Sequence, residues 1–490
     1  MQRHLVRQRC RRGSLVAAAT IGLTTIAAGQ AVAFDRITAV GLPGIGGGEV
    51  HTREQGGFRQ TLTRAAFPGL QQRSNTAFGA AVAIGDLDGN GEMDVAVGDP
   101  NTSASGQDGE VDLFFQENAR FPATSFQVVR PDGTAHDRFG AAVALSRRGD
   151  EYGPVTDLWV GAPGTDVDGV PDAGAVYHYI VTQVENDQPT VVLAQTLTQD
   201  TTEVGGVLEP DDRFGSVLAP ATSGVVVGVP DEDIGTATDA GAMQRIRIDP
   251  DTGDLLTGQI FNQDIKGVPG KAEAGDRFGA AVSEDGLLVG IPGEDVTAPD
   301  GSTLENAGAV QTFTANNGLS NMLKPLHYRT QDSPDQPGKA EAGDQFGAAV
   351  ATGIYDCDEV TLAAVGAPGE DLGSRTNAGA VTLFRAGDGG PPCSTRMLWQ
   401  GHGLTGRAEP GDRTGATLGT MNGDPEAEEN RHDLLAVGVP GEDIEAKGVV
   451  DTGRVMTWYL ETSSAYGLPD GTGDDEPGAR YGTVLGLETS

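Results

Sequence analysis

One short motif recurs seven times along this chain of 490 residues and restricts the folds that the chain can adopt. It consists of an aromatic residue or a threonine, then glycine, then small residues, and the copies lie roughly 67 residues apart on average. A repeat of this length predicts one structural unit per copy rather than several unrelated domains. The seven copies begin at Phe78-Gly79, Phe139-Gly140, Phe214-Gly215, Phe278-Gly279, Phe346-Gly347, Thr414-Gly415 and Tyr481-Gly482.

Two further glycine motifs follow the copies and divide each unit into strands. An apolar run that ends in Gly-x-Pro comes first, and another glycine then opens a second apolar run. Short strands separated by glycine and proline turns predict four antiparallel strands per unit, which is one blade of a β-propeller. The Gly-x-Pro motifs begin at Gly98, Gly161, Gly228, Gly290, Gly366 and Gly438, and the second glycines are Gly109, Gly174, Gly241, Gly308, Gly379 and Gly453.

The two ends of the chain each supply part of one unit. The last copy of the motif, in residues 480–487, has a first strand and nothing after it. Residues 37–50 supply a second strand that ends in Gly41-Leu42-Pro43 and a third strand, and residues 59–63 fit a fourth. We therefore predict an all-β, seven-bladed β-propeller whose N- and C-terminal strands share the closing blade. Such a closure seals the ring against fraying at an open edge.

The Phe-Gly and Gly-Ala-Pro pairs, as in Phe139-Gly140 and Gly161-Ala162-Pro163, resemble FG-GAP repeats. These are the units of the integrin alpha-chain propeller and of many secreted bacterial proteins. The resemblance covers essentially the whole chain after residue 33. It implies calcium loops that stiffen one face of the blades and a ligand site on the other face. The chain departs from the family because most copies have lost the calcium loop.

The N-terminus predicts export. A basic stretch from Met1 to Arg12 precedes an apolar run from Leu15 to about Ala28, and Ala31-Val32-Ala33 precedes Phe34. This pattern predicts a secretory signal peptide in residues 1–33 and a secreted propeller in residues 34–490, by the general or the twin-arginine route. The apolar run is too short for a membrane anchor, and we expect no membrane insertion elsewhere.

Acidic residues dominate the charged groups. The chain has 70 Asp and Glu against 33 Lys and Arg, a formal net charge of −37. Such a chain repels nucleic acid and anionic membranes and attracts cations or basic partners. The alternative is that the charge serves solubility alone.

One calcium loop survives, between the first and second strands of the first complete unit. Oxygen-bearing side chains stand at every second position, and Gly91 permits the sharp turn that wraps a cation of calcium's size. The twelfth position is Val97 rather than the glutamate of an EF-hand. The alternative is an acidic turn without metal. The resemblance implies a structural Ca²⁺ held by the side chains of Asp86, Asp88, Asn90 and Asp94 and by the carbonyl of Glu92.

A recurring acidic pair follows the Gly-x-Pro motifs on the face opposite the calcium loop, which we call the upper face. We predict a docking surface there for a protein or glycan that is basic or bridged by cations. The alternative is that these carboxylates cap turns and pair locally with Arg213, Arg277 and Arg413. The residues are Glu232, Asp233, Glu294, Asp295, Glu370, Asp371, Glu442 and Asp443.

Cys357 and Cys393 are the only cysteines after the predicted signal peptide, and both fall in loops of the fifth complete unit. In an exported protein such a pair predicts a disulfide. Arg148-Gly149-Asp150 matches an integrin-ligand tripeptide by letter, and we interpret it as a chance turn.

Known catalytic motifs are missing from the sequence. It has no Gly-x-Ser-x-Gly elbow and no His-Glu-x-x-His, and its seven histidines are scattered. The sequence analysis therefore predicts a monomeric, non-enzymatic protein that binds or adheres to a ligand. The alternatives are a structural scaffold of the cell envelope and, third, a propeller hydrolase.

Overall fold

The computed structural model describes most of the chain after residue 36. The described residues are 37–43, 48–54, 59–67, 77–100, 109–116, 121, 125–129, 136–150, 153–182, 190–315, 322–334, 336–355, 360–387, 395–421, 434–443, 452–459, 465–467 and 484–486. The predicted signal peptide (residues 1–33), Cys357 and Cys393 lie outside them and stay predictions.

Seven small antiparallel sheets form a seven-bladed β-propeller, which confirms the predicted all-β fold. The closing blade begins with β1 (Ile37–Leu42), β2 (Glu49–Glu54) and β3 (Arg59–Leu62). Blade 1 contains β4 (Ala81–Gly85), β5 (Asp94–Asp99), β6 (Glu110–Phe114) and β7 (Ser125–Val129). Blade 2 contains β8 (Ala142–Asp150), β9 (Gly153–Ala162), β10 (Ala175–Thr182) and β11 (Thr190–Leu197). Blade 3 contains β12 (Val217–Ala221), β13 (Gly224–Val229), β14 (Ala242–Ile248) and β15 (Leu255–Phe261).

The remaining blades keep the same meander with small additions. Blade 4 contains β16 (Ala281–Val282), β17 (Leu288–Ile291), the separate hairpin of β18 (Val296–Thr297) and β19 (Thr303–Leu304), and then β20 (Ala309–Ala315) and β21 (Leu323–Arg329). Blade 5 contains β22 (Ala349–Tyr355), β23 (Val360–Ala367), β24 (Ala380–Arg385), β25 (Arg396–Gln400) and β26 (Gly403–Leu404). Blade 6 contains β27 (Thr417–Met421), β28 (Leu434–Val439), β29 (Arg454–Tyr459) and β30 (Ala465–Gly467), and β31 (Val484–Gly486) returns to the closing blade. Two 3₁₀ turns occur at Arg64–Ala66 and Glu284–Gly286.

The first strands of the blades surround a central channel, where a cavity of about 170 Å³ is lined by residues such as Ala83, Ala144, Ala219 and Ala351. The hairpins between first and second strands open on one end of this channel, which we call the lower face. The loops after second and fourth strands open on the upper face. No helix among the described residues is long and apolar enough to cross a membrane.

The closing blade is shared between the chain ends as predicted. Strand β1 pairs antiparallel with β2 on one side and with β31 on the other, with Val40 opposite Leu485. Val40 and Leu485 also pack with Val455 of blade 6. The C-terminal strand thus connects the closing blade both to the N-terminal strands and to the preceding blade.

The recurring glycines mark places where the backbones of adjacent blades touch. A Cβ atom added to Gly290 would lie 1.9 Å from the carbonyl oxygen of Gly347 in the next blade. The amide of Gly347 in turn donates to the carbonyl of Gly366 at 2.9 Å. One close backbone contact between adjacent blades therefore requires glycine at both the Gly-x-Pro position and the Phe-Gly position. Equivalent approaches of 1.9–2.1 Å join Gly41 to Gly79, Gly98 to Gly140, Gly161 to Gly215, Gly228 to Gly279 and Gly366 to Gly415.

The phenylalanine of the motif fills the wider space further out between blades. Phe139 has no exposed surface and packs against Leu113 of blade 1 and Leu158 of blade 2. Phe278 likewise lies between Val226 of blade 3 and Val289 of blade 4. Each such ring buries apolar area of two blades at once, which stabilises the ring of blades rather than a single sheet.

Candidate functional site

The predicted calcium loop lies on the lower face of blade 1, between β4 and β5. It brings the carboxylates of Asp86, Asp88 and Asp94 together, with one oxygen of each within 4.8 Å of the others. Gly91 has a φ of 87°, as the turn requires. Among the described residues this is the only such group of three potential metal-ligating side chains.

Two predicted ligands of the loop hydrogen-bond within it. The side-chain Oδ1 of Asn90 accepts from the amide of Glu92 at 2.6 Å, and Asn90 Nδ2 donates to Asp88 Oδ2 at 3.3 Å. The structure therefore brings three of the five predicted residues together through their carboxylates and places Asn90 and Glu92 in the turn beside them.

The buried carboxylates of this loop fit a cation. Asp86 Oδ1 is buried and has no hydrogen-bond partner within the described part of the chain. Asp94 is fully buried, and its burial, with the charges of Asp88 and Asp86, raises its pKa well above the ordinary value. A hard divalent cation takes oxygen ligands of this kind and would neutralise them. The donor set thus suits Ca²⁺.

Blade 2 contributes a positively charged side chain to this loop. Arg147 Nη2 lies 3.2 Å from Asp86 Oδ2, and Thr156 Oγ1 donates to the carbonyl of Asp86 at 2.9 Å. The loop therefore links two blades, which no local pattern in the sequence indicated. Next to Arg147, Arg148 is buried and its Nε donates to Asp157 Oδ2 at 2.9 Å, so the guanidinium of the Arg-Gly-Asp tripeptide is not displayed.

The glutamates of the predicted upper-face docking surface join adjacent blades. Glu232, Glu294 and Glu370 are each only 8% exposed. Each accepts a hydrogen bond from a glutamine that follows the fourth strand of the preceding blade: Gln199 to Glu232 at 2.5 Å, Gln263 to Glu294 at 2.6 Å and Gln331 to Glu370 at 2.6 Å. Gln400 donates to Glu442 in the same way, and Glu442 also pairs with Arg454 at 3.0 Å.

The aspartates of the same motif brace the upper-face loops. Asp233 Oδ1 accepts from the amide of Asp239, Asp295 Oδ1 from Asn306 and Asp371 Oδ1 from Asn377, at 2.8–2.9 Å. Asp295 is exposed, whereas Asp233, Asp371 and Asp443 are half-buried. The partner-binding role of the motif stays a prediction, and solvent reaches its aspartates more than its glutamates.

A second buried carboxyl group accompanies each of these glutamates. Asp212, Asp276, Asp344 and Asp412 precede the Phe-Gly motif or its degenerate copy, and each accepts a backbone hydrogen bond from the residue three positions earlier. Burial, with the charge of nearby carboxylates, raises the pKa of Asp212 to about 8 and that of Asp344 to about 7. Burial likewise raises the pKa of Glu232 and of Glu370 to about 7.

The raised pKa values of these Glu and Asp pairs predict that the free energy of unfolding decreases in alkaline solution. Because their folded-state pKa values lie above the unfolded ones, their contribution is greatest below about pH 4 and is lost as the pH rises through about 7 to 8. We expect the melting temperature to fall by about 5 °C or more between pH 5.5 and 9. Replacing Glu232, Glu294 and Glu370 together by Gln should flatten this dependence.

The control for this measurement is a variant with the same change in charge at exposed positions, Asp168→Asn, Asp251→Asn and Glu305→Gln. It should keep the wild-type pH dependence. Equal slopes for the glutamate variant and the wild type would contradict the prediction.

Arginines begin the first strands of several blades, at the upper end of the channel. Arg138, Arg213, Arg277 and Arg413 directly precede the aromatic residue or threonine of the motif, all are exposed, and all have left-handed backbone with φ between 55° and 60°. Gln345 occupies the same position in blade 5 with a φ of 56°. This conformation costs an L-residue about 1–2 kcal/mol. The backbone amides of Arg213, Arg277 and Arg413 donate to carbonyls of the preceding blade at 3.0–3.1 Å, which fixes it.

Arg64 holds the closing blade to blade 1. It is 5% exposed, with Nη1 3.0 Å from Asp99 Oδ2 and Nε 3.0 Å from Asp112 Oδ2, and it also contacts Glu110. Burial raises the pKa of Asp112 to about 6. Arg64 follows the last strand of its blade by two residues, as Gln199 does, so alignment of the units would place both at one position without showing that this position is buried.

Comparison with known proteins adds little beyond the fold. No protein-family model matches the sequence, and no curated protein is detectably similar to it. The seven-bladed propeller is confirmed, whereas membership of the FG-GAP family stays a prediction.

Similar solved structures include three enzymes. An alpha-L-arabinofuranosidase from Fusarium graminearum, in complex with an iminosugar inhibitor, is 10% identical, covers 77% of this chain and 93% of its own and has a TM-score of 0.38. A periplasmic gluconolactonase from Pseudomonas aeruginosa is 12% identical over 74% of this chain and 99% of its own, with a TM-score of 0.28. An acylaminoacyl peptidase from Pyrococcus horikoshii is 10% identical over 87% of this chain and 48% of its own, with a TM-score of 0.36.

These findings contradict the prediction that the chain is not an enzyme. That prediction relied on local catalytic motifs, whereas loops of several blades can assemble a site with no contiguous signature. The missing motifs are therefore no evidence against activity. The low TM-scores assign no particular activity or substrate to this chain.

Proposed function

We propose that the protein is an exported ligand-binding β-propeller that binds a protein or glycan on its upper face and a structural Ca²⁺ in blade 1. The observation that carries the first part is the polar character of that face: blades 3 to 5 present there exposed carboxylates that include Glu273, Asp295, Glu305 and Glu341. Over the described part of the chain, Val192 and Val207 are the exposed large apolar side chains. A polar ligand, basic or bridged by cations, suits such a surface.

A binding experiment tests the upper-face proposal. Residues 34–490 are immobilised and exposed to the envelope and the medium of the producing cells, in Ca²⁺ and in EDTA. We expect a retained protein or glycan, and we expect Glu273→Lys with Glu341→Lys to abolish its retention. Hydrolysis of the retained material is followed in the same assay.

The matched control reverses two exposed carboxylates on the lower face, Asp251→Lys with Asp254→Lys. It should retain the ligand at the wild-type level. Loss of retention in both variants, or no retained material with the wild type, would overturn the proposal.

The calcium proposal rests on the grouped carboxylates and the unsatisfied Asp86 Oδ1. We expect Ca²⁺ to raise the melting temperature by several degrees and Asp86→Ala with Asp88→Ala to remove the effect, because a ligand that binds only the folded state stabilises it. Calorimetric titration with CaCl₂ measures binding directly.

The control for this experiment is Asp251→Ala with Asp254→Ala, in a lower-face turn of blade 3 where no group of three ligating side chains forms. It should respond to Ca²⁺ as the wild type does. An unchanged calcium response in the Asp86 and Asp88 variant would place the ion elsewhere.

A further inference from the structure

One carboxylate of the chain shows how the upper-face arginines bind an anion. Arg213 of blade 3 and Arg277 of blade 4 both contact Asp231, with Arg213 Nη1 3.4 Å from Oδ2 and Arg277 Nη2 3.1 Å from Oδ1. Two arginines of successive blades thus hold the two oxygens of one carboxylate. Charge-assisted contacts of this kind are among the stronger hydrogen bonds in proteins.

The other blades lack this internal carboxylate. Asp231 directly follows the proline of its Gly-x-Pro motif, and the residue at that position is Gly164 in blade 2, Gly293 in blade 4 and Gly369 in blade 5. The arginines of blades 2 and 3, Arg138 and Arg213, therefore have glycine between them where Arg213 and Arg277 have an aspartate. Arg138 is exposed and forms no ion pair with any residue that the structure describes.

A histidine makes the same corner more basic. His136 is exposed and has a φ of 90°, at a position where blades 4, 5 and 6 have Gly275, Gly343 and Gly411. The backbones of His136 and Gly164 touch, because a Cβ on Gly164 would lie 2.3 Å from the carbonyl oxygen of His136. Glycine adopts this conformation without strain and histidine does not. Strained non-glycine residues that persist often serve a functional site.

We propose that His136, Arg138 and Arg213 form a binding corner for a carboxylate of an acidic polysaccharide. In this corner Arg138 and Arg213 contact the ligand carboxylate in the same way as Arg213 and Arg277 contact the carboxylate of Asp231. This inference goes beyond the upper-face function proposed above, because its ligand is an acid held by arginines rather than a basic or cation-bridged ligand held by carboxylates. A chain of uronic acid residues presents carboxylates at regular intervals, and the arginines recur from blade to blade. The scarcity of exposed apolar side chains among the described residues argues against a protein ligand, which normally needs apolar anchors.

Carboxylates of the protein itself also stand near the corner. Asp211 Oδ1 lies 3.7 Å from Arg213 Nη2, and Asp231 Oδ2 lies 3.4 Å from Arg213 Nη1. They limit the positive charge there, and with the overall net charge of −37 they disfavour nonspecific binding of polyanions. Binding should therefore depend on direct contacts of the Arg138 and Arg213 guanidinium groups rather than on the overall electrostatic potential of the protein.

The test is a calorimetric titration of residues 34–490 with a uronic acid hexamer and, separately, with its methyl ester. The wild type should bind the acid and not the ester. Arg138→Gln should weaken binding about tenfold or more, because a charge-assisted contact is lost. The variant should fold, since Gln345 already occupies the equivalent position with a φ of 56°.

Two further variants distinguish an effect on ligand affinity from an effect on folding. Arg375→Gln removes another exposed upper-face arginine and should leave affinity unchanged. His136→Gly should raise the melting temperature, because it relieves strain, and still weaken binding. Equal weakening by Arg375→Gln, equal binding of acid and ester, or no binding of the acid by the wild type would overturn the inference. In the last case, a ligand retained from cells in a charge-dependent way would leave the proposed upper-face function standing.

Discussion

Removal of residues 484–490 is expected to lower the melting temperature by about 10 °C or more. The deletion takes away β31, the first strand of the closing blade, and leaves the inner, channel-side edge of β1 unpaired. It also removes Leu485 from its contacts with Val40 and Val455. An unpaired edge in an open ring should moreover promote aggregation. Circular dichroism and light scattering on heating measure both effects.

The matched control removes only residues 487–490, which follow β31. It should melt as the wild type does. If the longer deletion melted normally as well, the pairing of β1 with β31 would contribute nothing to the closed ring, contrary to the structure.

Arg64→Met is expected to cost about 3–5 kcal/mol of unfolding free energy, measured by urea denaturation at pH 7.5. The substitution preserves the volume of the side chain but leaves Asp99, Glu110 and Asp112 buried without their shared cation. Part of the loss should return at pH 5.5, because burial raises the pKa of Asp112, the absent Arg64 no longer lowers that pKa, and protonation removes one of the uncompensated charges.

Arg64→Met combined with Glu110→Gln and Asp112→Asn is the compensated variant for this experiment. It should be more stable than Arg64→Met alone, because two of the three buried charges are gone. A loss below about 1 kcal/mol for Arg64→Met would mean that the cluster is solvated and does not hold the blades together.

The architecture was predictable because each motif meets a backbone requirement at a fixed place in the blade. Gly290 and Gly347 touch across a blade interface, and any side chain there would collide with main-chain atoms. Phe139 fills a space that two blades create. Such requirements leave a residue-by-residue trace in every repeat, so the number of blades and the closure follow from the spacing of the repeats.

The grouping of the carboxylates in the predicted calcium loop could be predicted for a different reason. Its grouped carboxylates, from Asp86 to Asp94, lie within a single turn of the chain, so their spacing alone indicates the geometry. Arg147 and Thr156 come from the next blade, and nothing in the loop's own sequence indicates them.

The burial of the upper-face glutamates could not be predicted from their recurrence. Glu232 resembles a surface carboxylate in sequence, yet its donor Gln199 belongs to the preceding blade and precedes it by a full loop, a strand pair and a turn. A charged residue that recurs at one position of every repeat has the same environment in each blade. The sequence does not show whether that environment is solvent or the interface between two blades. For the same reason the sequence did not indicate the buried ion pairs of Arg64 with Asp99, Glu110 and Asp112.

The pairing of β1 with β31 also sets the order of events when the protein is made. β1 is the first and β31 the last of the described strands, so their pairing has the largest sequence separation among the described strand pairs. During synthesis β1 emerges before β31, so one edge of β1 stays unpaired until β31 appears, although β2 already pairs with its other edge. A product that terminates before β31 therefore has one unpaired strand edge, which a protease or holding chaperone can detect. In this way the pairing of β31 with β1 reports that every blade between the two strands has been made.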